Sequence, residues 1–232
     1  GFLMGIKSER IDHLIQFLDK IELEITDSGI EDEHRKELIE ALRMEVINVL
    51  KLAFAEGDRT IRRSAMYGLS KVGLDCSLEL FISALNDSDE YVRGWAAEAL
   101  GKLQNSHSIP ALLKALSDEN HYVCFNVSEA LKHFPAEIII IYLTQALTNS
   151  ERQIRRRVCK LLGEIGDQSV VEELIAALKD EDSRVRYEAA EALRKLKNPS
   201  SILPLVSALH DQNYVQTKLP GCIGVTGKVQ FQ

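Results

Sequence analysis

The chain has 232 residues, 45% hydrophobic and 27% charged, with a formal net charge of −7 at pH 7. This acidic balance speaks against a nucleic-acid surface, which needs a positive groove for phosphates. The longest aliphatic run, Ile138 to Ile141, is far too short to span a bilayer, and the four cysteines, at 76, 124, 159 and 222, have neither C-x-x-C nor zinc spacing, as expected of reduced thiols in the cytoplasm.

Gly1 to Gly5 reads as an expression remnant around Met4, too short for a signal peptide. Residues 7–24 then carry Ile11, Leu14, Ile15, Leu18 and Ile21 on one helical face, and Thr26 to Glu33 is a polar, acidic break. Residues 1–32 are thus read as remnant plus capping helix. A long helix from about Glu33 to Ala55 follows, its apolar face beginning at Leu38 and Leu42.

From there the chain repeats itself. Ala53, Ala84, Ala115, Ala146, Ala177 and Ala208 stand 31 residues apart. A fixed period of this size marks one supersecondary unit in tandem. Leu50, Phe81, Leu112, Leu143, Leu174 and Leu205 lie three positions earlier, and Phe54, Leu85, Leu116, Leu147, Leu178 and Leu209 one position later. That i, i+3, i+4 pattern is one face of a first helix, thin at the alanine so that the next unit packs against it. A second stripe has steps of four: Ile61, Val92, Val123, Ile154 and Val185, then Ala65, Ala96, Val127, Val158 and Ala189, then Leu69, Leu100, Leu131, Leu162 and Leu193. It defines a second helix. Ser77, Ser108 and Ser201 are placed to cap the first helix, with Pro110 early in its turn, and Asp58, Asp89, Asn120, Glu151 and Asp182 precede the second. Residues 33–218 therefore read as an array of about five full hairpins and a partial one. The fold class is all-α, a right-handed α-solenoid whose units need one another for a core.

Asp211 to Lys218 begins another second helix, but Pro220 and Gly221 interrupt it, and Cys222 to Gln232 is glycine-spaced and strand-prone. Residues 219–232 read as a disordered tail, an edge strand, or the end of a truncated array. Disorder or truncation leaves the last first-helix under-capped and open to self-association.

The arginines Arg62, Arg93, Arg155 and Arg186, with Cys124 in the same column, sit in the first turn of the second helix, where a cation opposes the macrodipole. The acidic column four residues earlier is the nearest compensation. Asp58, Asp89, Glu151 and Asp182 are therefore expected to form an inter-repeat ladder with these arginines, weakest where Asn120 and Cys124 replace both members.

No catalytic constellation is present. The sequence has no glycine-rich phosphate loop and no G-x-S-x-G, its six histidines are dispersed, and Cys159 falls in the small-residue column Met66, Ala97, Ser128, Cys159, Ala190. Catalytic residues, metal and cofactor are all expected to be absent, and the chain leans away from being an enzyme. Function is expected on the outward columns of the second helices, which line the concave side of such a stack. There Tyr67, Tyr91, Trp95, Tyr122, Phe125 and Tyr187 form an aromatic strip with Arg156 beside it, the residue types of binding hot spots. Trp95, between the outward column and the core, is equally suited to filling a helix seam. The cluster Arg152, Arg155, Arg156 and Arg157 is read as solvated charges or as a contact for an acidic partner. A protein partner held on this face, and no membrane, is the expectation.

Asp89-Glu-Tyr-Val-Arg-Gly-Trp-Ala-Ala-Glu-Ala-Leu-Gly-Lys-Leu and Asp182-Ser-Arg-Val-Arg-Tyr-Glu-Ala-Ala-Glu-Ala-Leu-Arg-Lys-Leu resemble HEAT-like repeats of the phycobilisome-lyase type over about residues 45–218. The resemblance implies the hairpin solenoid. It also brings a second functional expectation, a phycobilin lyase subunit or phycobilisome-associated bilin-binding factor, with Trp95, Tyr122, Phe125 and Arg156 around the pigment. Nucleic-acid binding, known among similar helical stacks, is a third expectation that the net charge opposes. The His-Glu dipeptides that di-iron hydroxylases on a HEAT-like scaffold use as ligands are missing.

Overall fold

The computed structural model of the protein describes residues 8–27, 32–72 and 77–210. Among the described residues there are twelve α-helices and no strand. The expectations for residues 1–5 and 211–232, and for Cys76 and Cys222, fall outside the described residues. The chain divides into two compact units, Gly1–Ala146 and Leu147–Gln232. The division lies within the repeat array, between the first and second helices of the fourth hairpin.

The first unit begins with α1 (Ser8–Asp27) and α2 (Asp32–Glu56), followed by α3 (Arg59–Val72). Ile11, Leu18 and Ile25, seven residues apart, form the buried seam of α1, while Leu14, Ile15 and Ile21 are half-buried. The helix packs on α2 and α3. Gly68 makes room for it, since a Cβ there would come within 2.7 Å of the Ile15 side chain and 3.0 Å of Leu50. Arg43 closes the contact by donating from two nitrogens to the two carboxylate oxygens of Glu22, each at 3.1 Å. Two hairpins follow, α4 (Leu78–Ala84) with α5 (Glu90–Leu103), and α6 (Ile109–Ala115) with α7 (His121–Lys132); α8 (Ala136–Ala146) ends the unit. The second unit holds α9 (Arg152–Ile165), the hairpin α10 (Val171–Ala177) and α11 (Ser183–Leu196), and α12 (Ile202–His210).

The periodic columns are the core. Leu50, Phe81, Leu112, Leu143 and Leu174 are fully buried, as are Val92, Ala96 and Leu100 and their equivalents one repeat on. The alanine column terminates the short first helices: α4, α6, α8 and α10 end on Ala84, Ala115, Ala146 and Ala177. Neighbouring second helices approach closely where glycine permits it. A Cβ on Gly101 would lie 2.6 Å from the Ala130 Cα, and one on Gly163 would lie 2.6 Å from the Ala192 Cα.

Helix starts follow short polar side chains. Asp58, Asp89, Asn120 and Asp182 accept amide hydrogens two or three residues on. Glu151, whose side chain is longer, makes no such bond. The serine column differs from its expected role. Turns of 3-10 helix (Ser106–Ser108, Gln168–Val170 and Pro199–Ser201) precede α6, α10 and α12, so the first orphan amides lie one turn earlier. Asn105, Asp167 and Asn198 cap them, accepting at 3.0, 2.7 and 2.9 Å. Ser108 and Ser201 instead donate back to the carbonyls of Asn105 and Asn198, both at 2.7 Å. Ser77, at the N-cap of α4, makes no side-chain cap bond.

Candidate partner-binding face

The second helices carry the face. Asp89 pins the first turn of α5 by accepting from the amides of Tyr91 at 3.0 Å and Val92 at 3.2 Å, and Asn120 does the same for Tyr122 of α7 at 2.9 Å. The two tyrosines are thereby held in equivalent positions one repeat apart. Trp95 lies one turn beyond Tyr91 on α5, and Tyr67 reaches it from α3. The rings form a continuous row. Tyr67 meets Trp95 edge-on at 5.5 Å between centroids, Trp95 meets Tyr91 at 5.8 Å, and Tyr91 meets Tyr122 at 5.4 Å. Contacts of this kind contribute about 0.5–1.5 kcal/mol each beyond area burial.

Glycine at 94 is required by the row, because a Cβ there would collide with the Tyr122 ring. Burial, followed by the Glu98 carboxylate, pushes the Tyr122 phenol above its ordinary pKa. Trp95 is half-buried, with Tyr67 and Tyr91 packed against it, so it fills the α3–α5 seam and still contributes surface. Tyr67 and Tyr91 are each 41% exposed and Tyr122 is 37% exposed. Phe125, one turn further along α7, is 63% exposed and stands outside the row of ring contacts. Arg156 and Tyr187 belong to the second unit, where Arg156 donates to Glu188 at 3.3 Å and Tyr187 is 41% exposed.

Charges border the row in pairs. The Asp89 carboxylate takes hydrogen bonds from Arg63 at 2.8 Å and from Arg59, and both arginines also reach Glu90. The guanidinium of Arg63 lies 4.3 Å over the Tyr91 ring, a cation–π contact. Burial works against an ionised Asp89, but the bonds from Arg63, Arg59 and the two amides outweigh it and hold its carboxyl far below the usual carboxylate range. Glu98 is paired with Lys102, and Glu129 with Lys132.

The ladder exists, but its acids are others than expected. Arg62 pairs with Asp87 at 3.2 Å, Arg93 with Asp118 at 2.7 Å and Arg155 with Asp180 at 2.8 Å, each 25 residues along. Asp58, Asp89 and Asp182 are occupied as caps, and their cross-repeat partners, where present, are Arg59 and Arg63 for Asp89 and Arg152 for Asp182. Glu151 is exposed. The physical reason lies in the turn. Asp87, Asp118, Asn149 and Asp180 each accept the amide two residues on at 2.8 Å, which fixes their free lone pairs toward the preceding repeat. Three arginines of the column also secure their own turn by donating to a carbonyl six residues back, Arg93 to Asp87, Arg155 to Asn149 and Arg186 to Asp180. The Cys124 thiol takes over that backbone bond, donating to the Asp118 carbonyl at 2.9 Å, without the charge. Asn120 remains an ordinary cap and Arg93 uses Asp118; the position without two charges is the one where Cys124 and Asn149 stand in the arginine and acid columns. The period could have revealed the true acids, since they too recur every 31 residues.

In the Arg152–Arg157 cluster, Arg152, Arg155 and Arg156 each pair with a carboxylate, and of these three only Arg155 is buried. Burial pushes the Cys159 thiol up to about 12, an inert core group. Among the described residues no group of three or more His, Cys, Asp or Glu is placed to hold a metal, and no helix is long and apolar enough to cross a membrane.

The arrangement defines a helical-hairpin repeat protein with an aromatic face on its second helices. The family model for HEAT repeats matches residues 46–132 and 140–218, and the chain belongs to that family. No curated protein matches it. Among solved structures it is similar to the archaeal HEAT-like repeats protein from Thermococcus onnurineus NA1, at 16% identity over 92% of each chain with a TM-score of 0.48. It is also similar to crescerin, which uses a TOG domain array to regulate microtubules in the primary cilium, at 18% identity over 78% of this chain and 82% of that one, TM-score 0.48. Human deoxyhypusine hydroxylase, solved with glycerol, is 20% identical over 86% of this chain and 91% of that one, TM-score 0.37. At such identities the likeness concerns the fold alone.

Proposed function

We propose that the chain is a non-enzymatic scaffold that holds a protein partner on the face of its second helices, with Tyr67, Tyr91, Trp95 and Tyr122 as the anchoring surface. One observation supports this above all: four partly exposed rings on three successive second helices touch in an unbroken row. Large amphipathic rings, rigidly held and ringed by paired charges, are what concentrates binding energy at protein interfaces. Phe125 extends the surface of the first unit, and Arg156 and Tyr187 offer a separate contact on the second.

Affinity capture with the wild-type chain and with Trp95→Ala, Arg156→Glu and both together tests the reading. Capture should drop at least ten-fold for Trp95→Ala, with far-UV circular dichroism unchanged. Undiminished capture by the double variant places the binding face elsewhere. The finer resemblance to phycobilisome-lyase repeats supplies a second reading, a bilin stacked on the Trp95 and Tyr122 rings. A protein co-expressed with a bilin source that is purified without visible absorbance and transfers no bilin to a phycobiliprotein sinks that alternative.

A further inference from the structure

We infer that the outward face of α9 and α11, in the second unit, docks an acidic segment of a protein partner; the inference rests on the partner-binding reading above and gives the second unit's contact its chemistry. The face is continuous. Outward columns of the two helices correspond at the 31-residue period, Gln153 with Arg184, Arg156 with Tyr187, Lys160 with Glu191 and Glu164 with Lys195. Steps of three and four keep each set on one side of its helix. Gly163 brings the two helices together, since a Cβ there would lie 2.6 Å from the Ala192 Cα.

What this face shows to solvent is its cations. Arg152 pairs with Asp182, Arg156 with Glu188, Lys160 with Glu164 and Arg194 with Glu191. In each pair the cation is the outer member: the cationic side chains are 37–67% exposed and the acidic ones 16–35%. The pairs within α5 and α7 of the first unit are ordered otherwise, for Glu98 and Lys102 are level and Glu129 is more exposed than Lys132. Two further cations, Arg184 and Lys195, are exposed and make no ion pair among the described residues. Nor does pairing exhaust the arginines. Arg152 and Arg156 each hold their acid through one nitrogen, at 3.5 and 3.3 Å, and a guanidinium carries five N–H donors.

Charge complementarity selects an anionic occupant, and the recessed acids select its kind. A nucleic-acid backbone needs a groove that is positive throughout. Here Glu188 and Glu191 stand among the cations, on a chain whose net charge is −7. The carboxylates of a protein segment are separated by its other residues, so they can meet single cations and pass over the acids between. A guanidinium also matches a carboxylate in shape, as a planar fork that donates two parallel bonds. The exposed acids Glu151 and Glu181 lie in the turns ahead of α9 and α11, which leaves the helix bodies as the docking surface.

Fluorescence anisotropy tests this on the whole chain, with a labelled, end-blocked peptide of alternating glutamate and serine. Its glutamine counterpart and a single-stranded oligonucleotide with the same label serve as comparators. The expected result is saturable binding of the glutamate peptide, at least ten-fold tighter than of either comparator. Raising the salt from about 0.1 M to about 1 M shortens the screening length from ~10 to ~3 Å and should weaken that binding at least ten-fold. Arg184→Glu combined with Lys195→Glu should also weaken it at least ten-fold, and Arg184→Lys combined with Lys195→Arg less than three-fold, with helicity unchanged in both. Lys36→Glu combined with Lys114→Glu makes the same change in net charge at exposed positions on α2 and α6 and should leave the affinity as it was. Equal binding of the glutamine peptide, or binding indifferent to salt and to the Arg184 and Lys195 reversals, overturns the acidic-segment assignment. Tighter binding of the oligonucleotide overturns it in favour of a phosphate chain. Silence with the glutamate peptide, in a chain whose partner capture still depends on Trp95 or Arg156, overturns the same assignment alone. Partner capture indifferent to both Trp95 and Arg156 removes the reading on which it rests.

Discussion

The two units use one scaffold and dress it differently. In the first, the outward positions of the second helices hold Tyr67, Tyr91, Trp95, Tyr122 and Phe125, while the matching columns of the second unit hold Lys160 and Glu191, Gln153 and Arg184, Arg157 and Glu188, and Arg156 and Tyr187. The buried columns do not share this divergence: Val92, Ala96 and Leu100 of α5 answer to Val185, Ala189 and Leu193 of α11, all buried. Each unit also has its glycine-to-alanine helix contact and its arginine-to-aspartate rung. Packing therefore constrains both units alike, and the face in the first carries a surface that packing does not demand. The rings stabilise one another where they touch, and under the function proposed above their exposed parts put the binding role on the first unit.

The largest expected difference between the units concerns the rungs. The Arg155 side chain is only 7% exposed, and its loss leaves the half-buried Asp180 ionised without its closest cation. Arg155→Met should cost about 3–5 kcal/mol in chemical denaturation. Arg62→Met, at a more exposed rung with 3.2 Å contacts, should cost about 1 kcal/mol. Equal costs would show that the two rungs are equivalent.

The helix seams come next. Gly101→Ala and Gly163→Ala each drive a Cβ into the backbone of the facing helix, and each should cost about 1–3 kcal/mol. Gly94→Ala meets only the movable Tyr122 ring, so its cost in stability should be smaller while the Trp95 emission shifts as the row is disturbed. A larger loss for Gly94→Ala than for Gly163→Ala would contradict this ranking.

Acid should act on both units through Asp89 and Asp180. Burial raises the pKa of Asp180, but hydrogen bonds from Arg155 and the Asp182 amide prevail and hold it below the usual range, as happens more strongly at Asp89. Both folded pKa values lie below the unfolded value of about 3.9, so below that pH the unfolded chain binds protons that the folded chain does not. The stabilisation is complete above about pH 4 and fades as pH falls toward the folded values. In denaturation series from pH 7 to pH 3, Asp89→Asn should be less stable at pH 7 and lose less on acidification than the wild type. The smallest effect belongs to the helix ends. Gln104 and Lys197 occupy left-handed C-caps at φ 51° and 53°, where α9 uses Gly166 at φ 80°. Gln104→Gly and Lys197→Gly should each stabilise by about 0.5–1 kcal/mol, raising the thermal midpoint in both units alike.

Much of this was legible in the chain. Leu50, Phe81, Leu112, Leu143 and Leu174 announced the core, and Asp89 and Asn120 the helix starts, because burial and capping are local demands that recur with every repeat. The ladder was half legible. The arginine column takes part, but its acids sit two residues before the capping aspartates, whose own cross-repeat bonds, at Asp89 and Asp182, go to other arginines. At Ser108 and Ser201 a 3-10 turn places the orphan amides one turn earlier without altering the period. The aromatic residues could be named from their outward columns, but not which of them touch.

The sequence by itself determined the repeat, the all-helical architecture and the columns of the core, because a 31-residue period leaves one face per helix to bury. The tertiary structure alone decided which acid each arginine meets, that Gly94 yields its space to Tyr122, and that four rings join into one row while Phe125 stands apart. Such pairings depend on how closely and at what rotation neighbouring helices pack, and a one-dimensional period does not carry that rotation.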